Sequence, residues 1–351
     1  MKVDFFIVGQ GLAGTLLSYE LIKRNKSFIV FDDLTHPKAS YVAAGIVNPV
    51  VFRRMTKSWM ADDAFPVMEN TYFQIELMLK EKFYYPMQMI KFLSEEIAKL
   101  WKDKSFANEL GTYLLPEPFK SDVNEFQHQY SKFGLVNKAG RLDMQKFIDA
   151  FGKYLIQNQK LKPEKFDCNK LRFFNESVNY ENLQAKKVIF CDGPSVSGNP
   201  FFRAIKFKHS KGEVLDLEIP MFKTDRTING DVFIVSVSEH QFRVGATYCW
   251  NELDFEPTQS ARNEIISKFK SFMQYEYRVL SHKAGIRPTT HDRKPVIGLL
   301  PDNPQIGIFN GLGSKGVLLG PYFARQLAEF LANESTFIDP EVDVRRYYKR
   351  Q

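Results

Sequence analysis

The sequence predicts a chain that combines a parallel α/β layer with a separate, antiparallel α+β layer. A glycine-rich turn follows the first apolar run, and a second one near the other end of the chain also leads into a helical pattern. Between the two turns, residues 207–250 alternate apolar and polar side chains, as the strands of a half-buried antiparallel sheet do. The 351 residues, of which 44% are hydrophobic and 25% charged, are enough for a large core and two domains.

The first layer begins with strand, turn, helix, strand and acid in that order. The apolar run 3–8 leads directly into Gly9 to Gly14 (GQGLAG), and a helical pattern then covers 15–24. A second apolar run, 28–31, ends in Asp32 and Asp33. This order is typical of a dinucleotide-binding βαβ unit, whereas the alternative is a glycine-rich turn without a ligand.

Each of these residue types has a physical role in such a unit. Gly9 allows a sharp turn out of the strand, Gly11 lets the backbone approach a pyrophosphate, and Gly14 lets the helix pack closely on the sheet. The helix N-terminus offers N–H groups and a partial positive charge to the phosphates. Asp32, or its neighbour Asp33, can accept hydrogen bonds from ribose hydroxyls.

The next segments are predicted from local patterns. Small residues in Ala43 to Pro49 (AAGIVNP) suit either close approach to a flat ligand or a loop packed under the sheet. Residues 60–110 read as mostly helical, and a further helix covers 144–157 with Asp143 as its N-cap. The strand-like run 166–174 comes next.

The second half of the chain contains strands and then another turn. The strand 188–191 stops at Asp192-Gly193, as a central parallel strand does beside a nucleotide, although an ordinary strand end has the same pattern. A hairpin is predicted around 238–240 and a helix over 263–275. A strand at 306–309 leads into Gly311 to Gly316 and a helix over 317–331, a turn that can hold another part of a long cofactor.

The composition of the chain limits the compartment, metals and macromolecular partners to be expected. The three cysteines, Cys168, Cys191 and Cys249, are scattered, which suits a reducing, cytoplasmic compartment and predicts neither disulfides nor a metal site. There is no long apolar run for a membrane helix, and no signal peptide is expected before the first strand. The net charge of +7 is compatible with anionic ligands or nucleic acid, but the basic residues are dispersed.

Four segments together resemble the FAD-dependent oxidases of the D-amino-acid oxidase superfamily. They are GQGLAG, IFCDGP, AGIRPTTHDRKPVIG and IFNGLGSKGVLLGPY, in that order. Glycine oxidase, sarcosine oxidase and the oxidase half of the enzyme that modifies tRNA wobble uridines belong to this group. The resemblance spans nearly the whole chain and is weakest between residues 60 and 160.

The resemblance implies a Rossmann-like, glutathione-reductase-type FAD-binding domain and an interleaved substrate domain on an antiparallel sheet. The FAD-binding domain would comprise residues 1–60, 140–205 and 285–351, and the substrate domain 61–139 and 206–284. FAD would be noncovalent, because no cysteine falls in the segment just before Thr289, where some sarcosine oxidases attach the flavin. The residues implied for the cofactor are Gly9, Gly11, Leu12, Ala13, Gly14, Phe31, Asp32, Asp33, Ala44, Gly45, Ile46, Asn48, Cys191, Asp192, Gly193, Gly311, Leu312, Gly313, Ser314, Lys315 and Gly316.

The resemblance also implies a substrate site. Arg287 occupies the place of an arginine that holds the substrate carboxylate in amino-acid oxidases, unless it is tied to loop carbonyls. The tyrosine that assists it in glycine oxidase corresponds to Phe233 here, so Tyr248 is the candidate to supply a hydroxyl instead. Lys315 stands where relatives carry Arg, His or Asn, and either binds an anionic group or assists oxygen reduction, or is a residue at a surface helix start.

The expected activity is oxidation of a primary or secondary amine by hydride transfer to FAD, with O2 or another acceptor taking the electrons. One alternative is an oxidase that acts on a modified wobble uridine of tRNA, which the fourth segment and the net charge favour and the lack of a dense basic stripe does not. A second alternative is an FAD-binding protein without catalysis. The N-terminal motif alone also allows a nicotinamide dehydrogenase.

Overall fold

A computed structural model describes residues 1–106, 109–117 and 132–348. Residues 107–108, 118–131 and 349–351 lie outside the described residues, and they include part of the range 61–139 predicted for the substrate domain. Within the described ranges, no helix is long and apolar enough to cross a membrane.

The elements follow one another in a mixed order of strands and helices. The helices are α1 (Leu12–Lys23), α2 (Ala39–Val42), α3 (Ala61–Leu79), α4 (Glu95–Phe106), α5 (Met144–Gln157), α6 (Gln259–Lys270) and α7 (Gly316–Leu331). The strands are β1 (Lys2–Val8), β2 (Phe28–Phe31), β3 (Ile46–Val47), β4 (Val50–Val51), β5 (Thr56–Lys57), β6 (Tyr84–Leu93), β7 (Lys132–Leu142), β8 (Leu161–Lys162), β9 (Leu171–Phe173), β10 (Val178–Tyr180), β11 (Leu183–Phe190), β12 (Ser210–Glu218), β13 (Thr227–Asn229), β14 (Phe233–Ser238), β15 (Gln241–Gly245), β16 (Arg278–Arg287), β17 (Val296–Leu299) and β18 (Ile306–Asn310).

The first large sheet has the strand order β17-β18-β11-β1-β2-β8, with β10 and β9 added beside β11. Strand β1 runs parallel to β2 and β11, and its register places Val8 opposite Phe31 and Phe190. Strand β18 is parallel to β11, with Ile308 opposite Phe190. The carboxyl ends of four strands therefore meet at one edge, where ligands bind in open α/β sheets.

The second large sheet has the order β16-β12-β15-β14-β13-β6-β7-β3, and its strand pairs are antiparallel except for β13 and β6. Helix α6 packs on one face of this sheet through Ile265 and Phe269, which are fully buried. The short strand β3 joins the sheet by pairing with the end of β7. The loop after β2 leaves the first sheet and leads into β3, which belongs to the second. The chain therefore passes from one sheet to the other near the carboxyl end of β2.

Helices α1, α3, α5 and α7 cover one face of the first sheet. Their contacts form one apolar core that includes Leu16, Tyr72, Phe147 and Phe323, none of which is exposed to solvent. Removing such large side chains from water is the main stabilising contribution to a core of this kind. The core holds α1 and α7 firmly, so that their N-termini lie at the strand edge.

Several sequence predictions are confirmed. The mixed fold with a parallel and an antiparallel sheet is present, and the parallel setting of β11 is as expected. Helix α5 has its predicted bounds, and the side chain of Asp143 accepts a hydrogen bond from the backbone N–H of Lys146. The predicted hairpin is β14 and β15, which pair across residues 238–241.

Three local predictions were wrong in type or extent. Residues 84–93 form strand β6 inside the region predicted as mostly helical, because they pair with β7 almost fifty residues later in the chain. The run 166–174 contains a short 3₁₀ turn and only the brief strand β9. Helix α6 begins and ends about one turn earlier than predicted, because Thr258 caps it by accepting from the N–H of Ala261.

Candidate cofactor and substrate site

The first glycine turn connects β1 to α1. Gly9 has a positive φ of 101°, and a Cβ there would lie 2.6 Å from the carbonyl oxygen of Cys191. A Cβ on Gly14 would lie 1.9 Å from the oxygen of Gly9, so these two glycines are required for backbone packing. Gly11 is less crowded, since a Cβ there would meet no backbone atom within 4 Å and one side-chain atom, Ser40 Oγ, at 3.3 Å. The turn is therefore open at Gly11, where helix α1 begins.

Asp32 is the buried acid at the end of β2, with 7% of its surface exposed. Its Oδ1 accepts from the backbone N–H of Gln10 at 2.7 Å, and its Oδ2 pairs with the ammonium of Lys38 at 2.7 Å. Asp33 uses its own Oδ1 to accept from the N–H and hydroxyl of Thr35. Of the two acids, Asp32 is thus the one fixed beside the glycine turn. Lys38 was not singled out from the sequence, since a lysine in a loop has no local signal for such a contact.

The turn after β11 is held to the turn after β18 by Asn310. The amide Nδ2 of Asn310 donates to Asp192 Oδ1 at 3.0 Å and to the oxygen of Gly193 at 2.9 Å, and its Oδ1 accepts from the N–H of Gly311. Burial raises the pKa of Asp192 to about 6, although hydrogen bonds from Asn199 and Asn310 oppose this. Sequence reasoning missed Asn310 as a site residue; the available signal was a polar side chain at the end of an apolar strand.

Lys315 lies at the N-cap of helix α7 and is one of the predicted site residues. Its Nζ donates to the carbonyl oxygen of Asn48 at 2.6 Å. Burial lowers the pKa of its ammonium to about 8, and the positive end of a helix also disfavours a cation at this position. No carboxylate among the described residues lies within 4 Å of it. The arrangement provides a positive potential at this end of the site.

The loop before β3 lies against the same edge. Gly45 has a φ of +72°, and a Cβ there would lie 1.8 Å from the oxygen of Leu142, so only glycine fits. Asn48 orients the following turn by accepting from the N–H of Val50. Ser40, another residue missed in the sequence, accepts from the N–H of Leu12 at the start of α1. The loop thus brings small residues and a hydroxyl close to the first glycine turn.

Arg287 is the last residue of β16. Its guanidinium packs against the backbone of Gly212, where a Cβ would lie 2.1 Å from Nη2, and the ring centroid of Tyr248 is 4.3 Å from Cζ. Both Nη atoms donate to the oxygen of Thr247 at 3.4 Å. Burial lowers the pKa of Arg287, and within the described part of the chain no carboxylate lies within 4 Å of it. This leaves donors of a buried cation available for an anion.

Tyr248 and Phe233 line the same cavity as Arg287. Tyr248 is 56% exposed and faces Arg287 with its ring, and its hydroxyl makes no hydrogen bond within the described ranges. Phe233 begins β14 and lies opposite Gly245 on the neighbouring strand. The ring of Tyr248 therefore shields the guanidinium, in addition to any contact made by the hydroxyl.

One cavity of about 920 Å³ connects these parts. Its lining includes Asp32, Asp33 and Lys165 as well as Phe233, Tyr248 and Arg287. Most predicted site residues line it; the exceptions are Gly14, which packs under the first turn, and Gly311, which packs against Thr290. Among the described residues, no group of three or more His, Cys, Asp or Glu is placed to hold a metal ion.

Comparison with known proteins identifies the family. The sequence profile of the DAO family, described as FAD dependent oxidoreductase, matches residues 4–330. The chain belongs to this family. It is an FAD-dependent oxidoreductase, and this resolves the choice between FAD and a nicotinamide cofactor that the N-terminal motif left open.

Individual relatives are more distant. The chain is 25% identical over 215 residues to the tRNA 5-methylaminomethyl-2-thiouridine biosynthesis bifunctional protein MnmC of Marinobacter nauticus, a match that covers 53% of this chain and only 33% of that protein. It is 22% identical to an uncharacterized oxidoreductase of Bacillus subtilis, YurR, over 96% of both chains. The crystal structure of glycine oxidase from Geobacillus kaustophilus has a TM-score of 0.81 at 18% identity and covers 98% of both chains, which shows a shared fold.

The residues fit FAD. Gly11 and Gly193 leave their faces of the backbone open, and at Gly193 a Cβ would meet no atom within 4 Å. The N-termini of α1 and α7 both point to the cavity edge, and Lys315 adds a positive charge at the second of them. A long anionic dinucleotide matches these features better than a small ligand does.

Proposed function

We propose that this enzyme oxidises an amine that also carries a carboxylate, an amino-acid-like substrate, to an imine that water then hydrolyses to a carbonyl compound. The chemistry that bound FAD supplies is acceptance at N5 of a hydride from the carbon next to nitrogen, with O2 then taking two electrons and two protons to give hydrogen peroxide. The single observation that carries the proposal is Arg287, a cation that lines the cavity without a carboxylate partner among the described residues.

Arg287 would bind the substrate carboxylate. A guanidinium forms two parallel hydrogen bonds with a carboxylate, which orients the adjacent carbon as well as holding the molecule. Packing against Gly212 and Tyr248 restricts the guanidinium to one plane, so little side-chain entropy is lost on binding. Tyr248 also keeps water from one face of the ion pair, and its hydroxyl is available to the carboxylate.

Asp32 and Lys315 would act on the cofactor from opposite ends. The carboxylate of Asp32, held in place by the ammonium of Lys38, would accept hydrogen bonds from the ribose hydroxyls. The ammonium of Lys315 and the N-terminus of α7 would hold positive potential where negative charge develops during reduction. With a pKa near 8, Lys315 also carries a proton at neutral pH that the oxygen half-reaction can use.

The domain assignment is part of the same proposal. The strands of the first sheet all fall in residues 1–60, 140–205 and 285–351, the ranges proposed for the FAD-binding domain. The second sheet draws mainly on 61–139 and 206–284, the ranges proposed for the substrate domain. Arg287 ends strand β16 of the second sheet, and its number falls just inside the range 285–351, so the proposed carboxylate contact would lie where the two proposed domains meet.

The substrate class is tested by anaerobic bleaching of the bound flavin. The panel comprises glycine, sarcosine, proline, and D- and L-amino acids, each compared with the corresponding amine that lacks the carboxylate. We expect bleaching only by compounds with a carboxylate, and equimolar hydrogen peroxide and carbonyl product when air is admitted. Equal bleaching by the decarboxylated amines would contradict the role of Arg287, and no bleaching by any amine would contradict the proposed function.

Arg287→Met tests the residue itself. Loss of a charge-assisted, bidentate contact should raise KM for the carboxylate substrate about 100-fold while FAD stays bound. Arg278→Met is the matched control, because Arg278 lies on the same strand, β16, with 72% of its side chain exposed. It should leave KM unchanged, and an unchanged KM in Arg287→Met would refute the carboxylate contact.

A second candidate is oxidation of a modified uridine in tRNA. The match to MnmC and the net charge of +7 favour it. Nonspecific phosphate contacts make nucleic-acid binding strongly salt-dependent. A gel shift with total tRNA at low salt, lost as salt is raised, would support this candidate, whereas no shift at low salt would leave the small-molecule amine as substrate.

A further inference from the structure

Two exposed aromatic side chains lie together, and one of them lines the cavity. Tyr248 lines the cavity with 56% of its surface exposed, and Trp250 has 54% exposed. Their rings are stacked, with centroids 6.1 Å apart and planes 23° from parallel. Single exposed aromatic side chains are common on protein surfaces. A stacked pair beside a cavity is less common, and it indicates a surface that a ligand covers.

The backbone that carries this pair is fixed. The N–H of Lys211 donates to the oxygen of Cys249 at 2.8 Å, and the N–H of Cys249 donates to the oxygen of Lys211 at 3.0 Å. Thr247, one residue before the pair, accepts through Oγ1 from the N–H of Glu213. The rings are therefore presented by a segment bonded to β12 on both sides of Tyr248 rather than by a free loop.

Buried charges hold the rest of the segment. The Lys211 side chain is 1% exposed and pairs with Asp254 at 2.5 Å. Glu213, 3% exposed, accepts from the N–H and hydroxyl of Thr258 and lies 2.9 Å from His282 Nε2. Burying ionic groups costs folding free energy. Here the buried groups are paired with Asp254, Thr258 and His282, and these contacts hold residues 247–258 and the exposed rings in a defined position.

We infer that Tyr248 and Trp250 form a subsite for a planar ring of the substrate, so that the amine oxidised is a ring-bearing amino acid rather than one the size of glycine. This inference rests on the proposed function, because it takes Arg287 as the carboxylate contact. Arg287 lies over the ring of Tyr248, and the exposed ring of Trp250 stacks with that of Tyr248. A carboxylate bound to Arg287 leaves the remainder of the molecule beside these rings, where a planar group stacks favourably.

The planar ring of the substrate can be attached to the amine nitrogen or to the carbon chain. Two pairs of compounds distinguish these two possibilities. N-Benzylglycine is compared with N-methylglycine, and phenylalanine with alanine, each enantiomer separately. For at least one pair, we expect kcat/KM of the holoenzyme to be about tenfold higher for the ring compound. Trp250→Ala should reduce that ratio about tenfold, and Trp250→Phe should restore most of it.

Phe337→Ala is the control, since Phe337 is 58% exposed, does not line the cavity and lies far along the chain from the segment that carries Tyr248 and Trp250; it should leave the ratio unchanged. Binding is measured separately with benzyloxyacetate and methoxyacetate, which carry an ether oxygen in place of the amine, by the change in flavin absorbance. Benzyloxyacetate should bind about tenfold more tightly, and Trp250→Ala should abolish the difference.

The outcomes separate this inference from the proposed function. If small and ring compounds are oxidised equally well, and benzyloxyacetate binds no more tightly than methoxyacetate, the subsite is refuted while the proposed function stands. If no amine bleaches the flavin, the proposed function fails. Tighter binding of benzyloxyacetate that depends on Trp250 would then still support an aromatic subsite.

Discussion

Arg287 and Lys315 are two cations at one cavity, and the described residues place no carboxylate within 4 Å of either. In both, burial lowers the pKa. A charge withdrawn from water without a partner costs stability, and such perturbed groups in a cavity are typical of functional sites. At the residue scale, the site therefore stores unfavourable electrostatic energy that an anionic cofactor and substrate relieve.

Lys315 gives a prediction about stability. Its ordinary pKa is 10.5 and burial lowers it to about 8 in the folded chain. Below pH 8 the lysine is charged in both states, and the folded chain bears the full cost of burying that charge. Between pH 8 and 10.5 the unfolded chain binds more protons than the folded chain, so the free energy of unfolding rises with pH. Above pH 10.5 the lysine is neutral in both states and the cost of burying its charge is gone. Lys315→Met should thus raise the free energy of unfolding of the cofactor-free chain at pH 7 by about 1–3 kcal/mol.

Urea denaturation at pH 7 and near pH 10.5 measures this difference. The gain in Lys315→Met should shrink towards zero at the higher pH, and Lys153→Met, at an exposed position on α5, should show no gain at either. If Lys315→Met is less stable than the parent chain at pH 7, the lysine stabilises the fold and its electrostatic cost has been misassigned.

At the scale of elements, two strand-turn-helix units belong to the first sheet, and their helices pack against each other on one of its faces. The units are β1 with α1 and β18 with α7, and Asn310 links the turn of the second to the end of β11. Each helix presents its N-terminus to the cavity edge. This geometry depends on how closely α1 approaches its turn, which is set by the absence of a side chain on Gly14.

Gly14→Ala should therefore separate α1 from the turn. The added Cβ would lie 1.9 Å from the backbone oxygen of Gly9, so the backbone must shift, and we expect a loss of at least about 3 kcal/mol of stability and of FAD retention. Gly152→Ala is the matched control in helix α5, because its Cβ would meet Gln10 at an ordinary 3.5 Å. It should stabilise by about 0.5–1 kcal/mol through helix propensity. Thermal unfolding of both variants checks this, and similar shifts would contradict the packing argument.

For the whole molecule, one contact ties the second sheet to the loop that precedes β3. Arg243 on β15 pairs with Asp216 on β12 at 2.7 Å, and its Nη1 donates to the backbone oxygen of Ala43 at 3.2 Å. Burial would raise the pKa of Asp216, but Arg243, Lys283 and Ser281 together lower it to about 2. Arg243, fixed by this ion pair in the second sheet, thereby anchors the loop that runs from β2 of the first sheet to β3.

Arg243→Met should release this loop. Because one charge-assisted contact is lost while each sheet keeps its own core, we expect the dissociation constant of FAD to rise about tenfold with a smaller change in global stability. Flavin fluorescence titration of the cofactor-free chain measures it. Arg226→Met, whose side chain is 39% exposed and reaches Asp225 only at 4.0 Å, is the control. An unchanged dissociation constant in Arg243→Met would show that the loop is held without this arginine.

Local sequence patterns were informative where the structure is local. Helix α5 with its Asp143 cap and the β14–β15 hairpin depend on neighbours a few residues away, and both were predicted. Strand β6 was missed because its partner β7 lies far along the chain, and its alternation could not be distinguished from a helical stripe. Asn310 was missed for the same reason, since its partner Asp192 is distant in sequence. Lys38 was missed although Asp32 is only a few residues away, because a lysine in a loop carries no local pattern that indicates such a contact.

The sequence by itself determined the glycine turns, the acid after β2 and the family motifs, because each requires particular residue types at fixed short spacing. Only the tertiary structure decided that Asp32 rather than Asp33 is buried, that Tyr248 covers Arg287, and that Lys315 bonds to Asn48. These contacts depend on burial and on the register of strands that meet from distant parts of the chain. Neither quantity is encoded in any short segment, so the electrostatics of the site emerge only when both sheets are assembled.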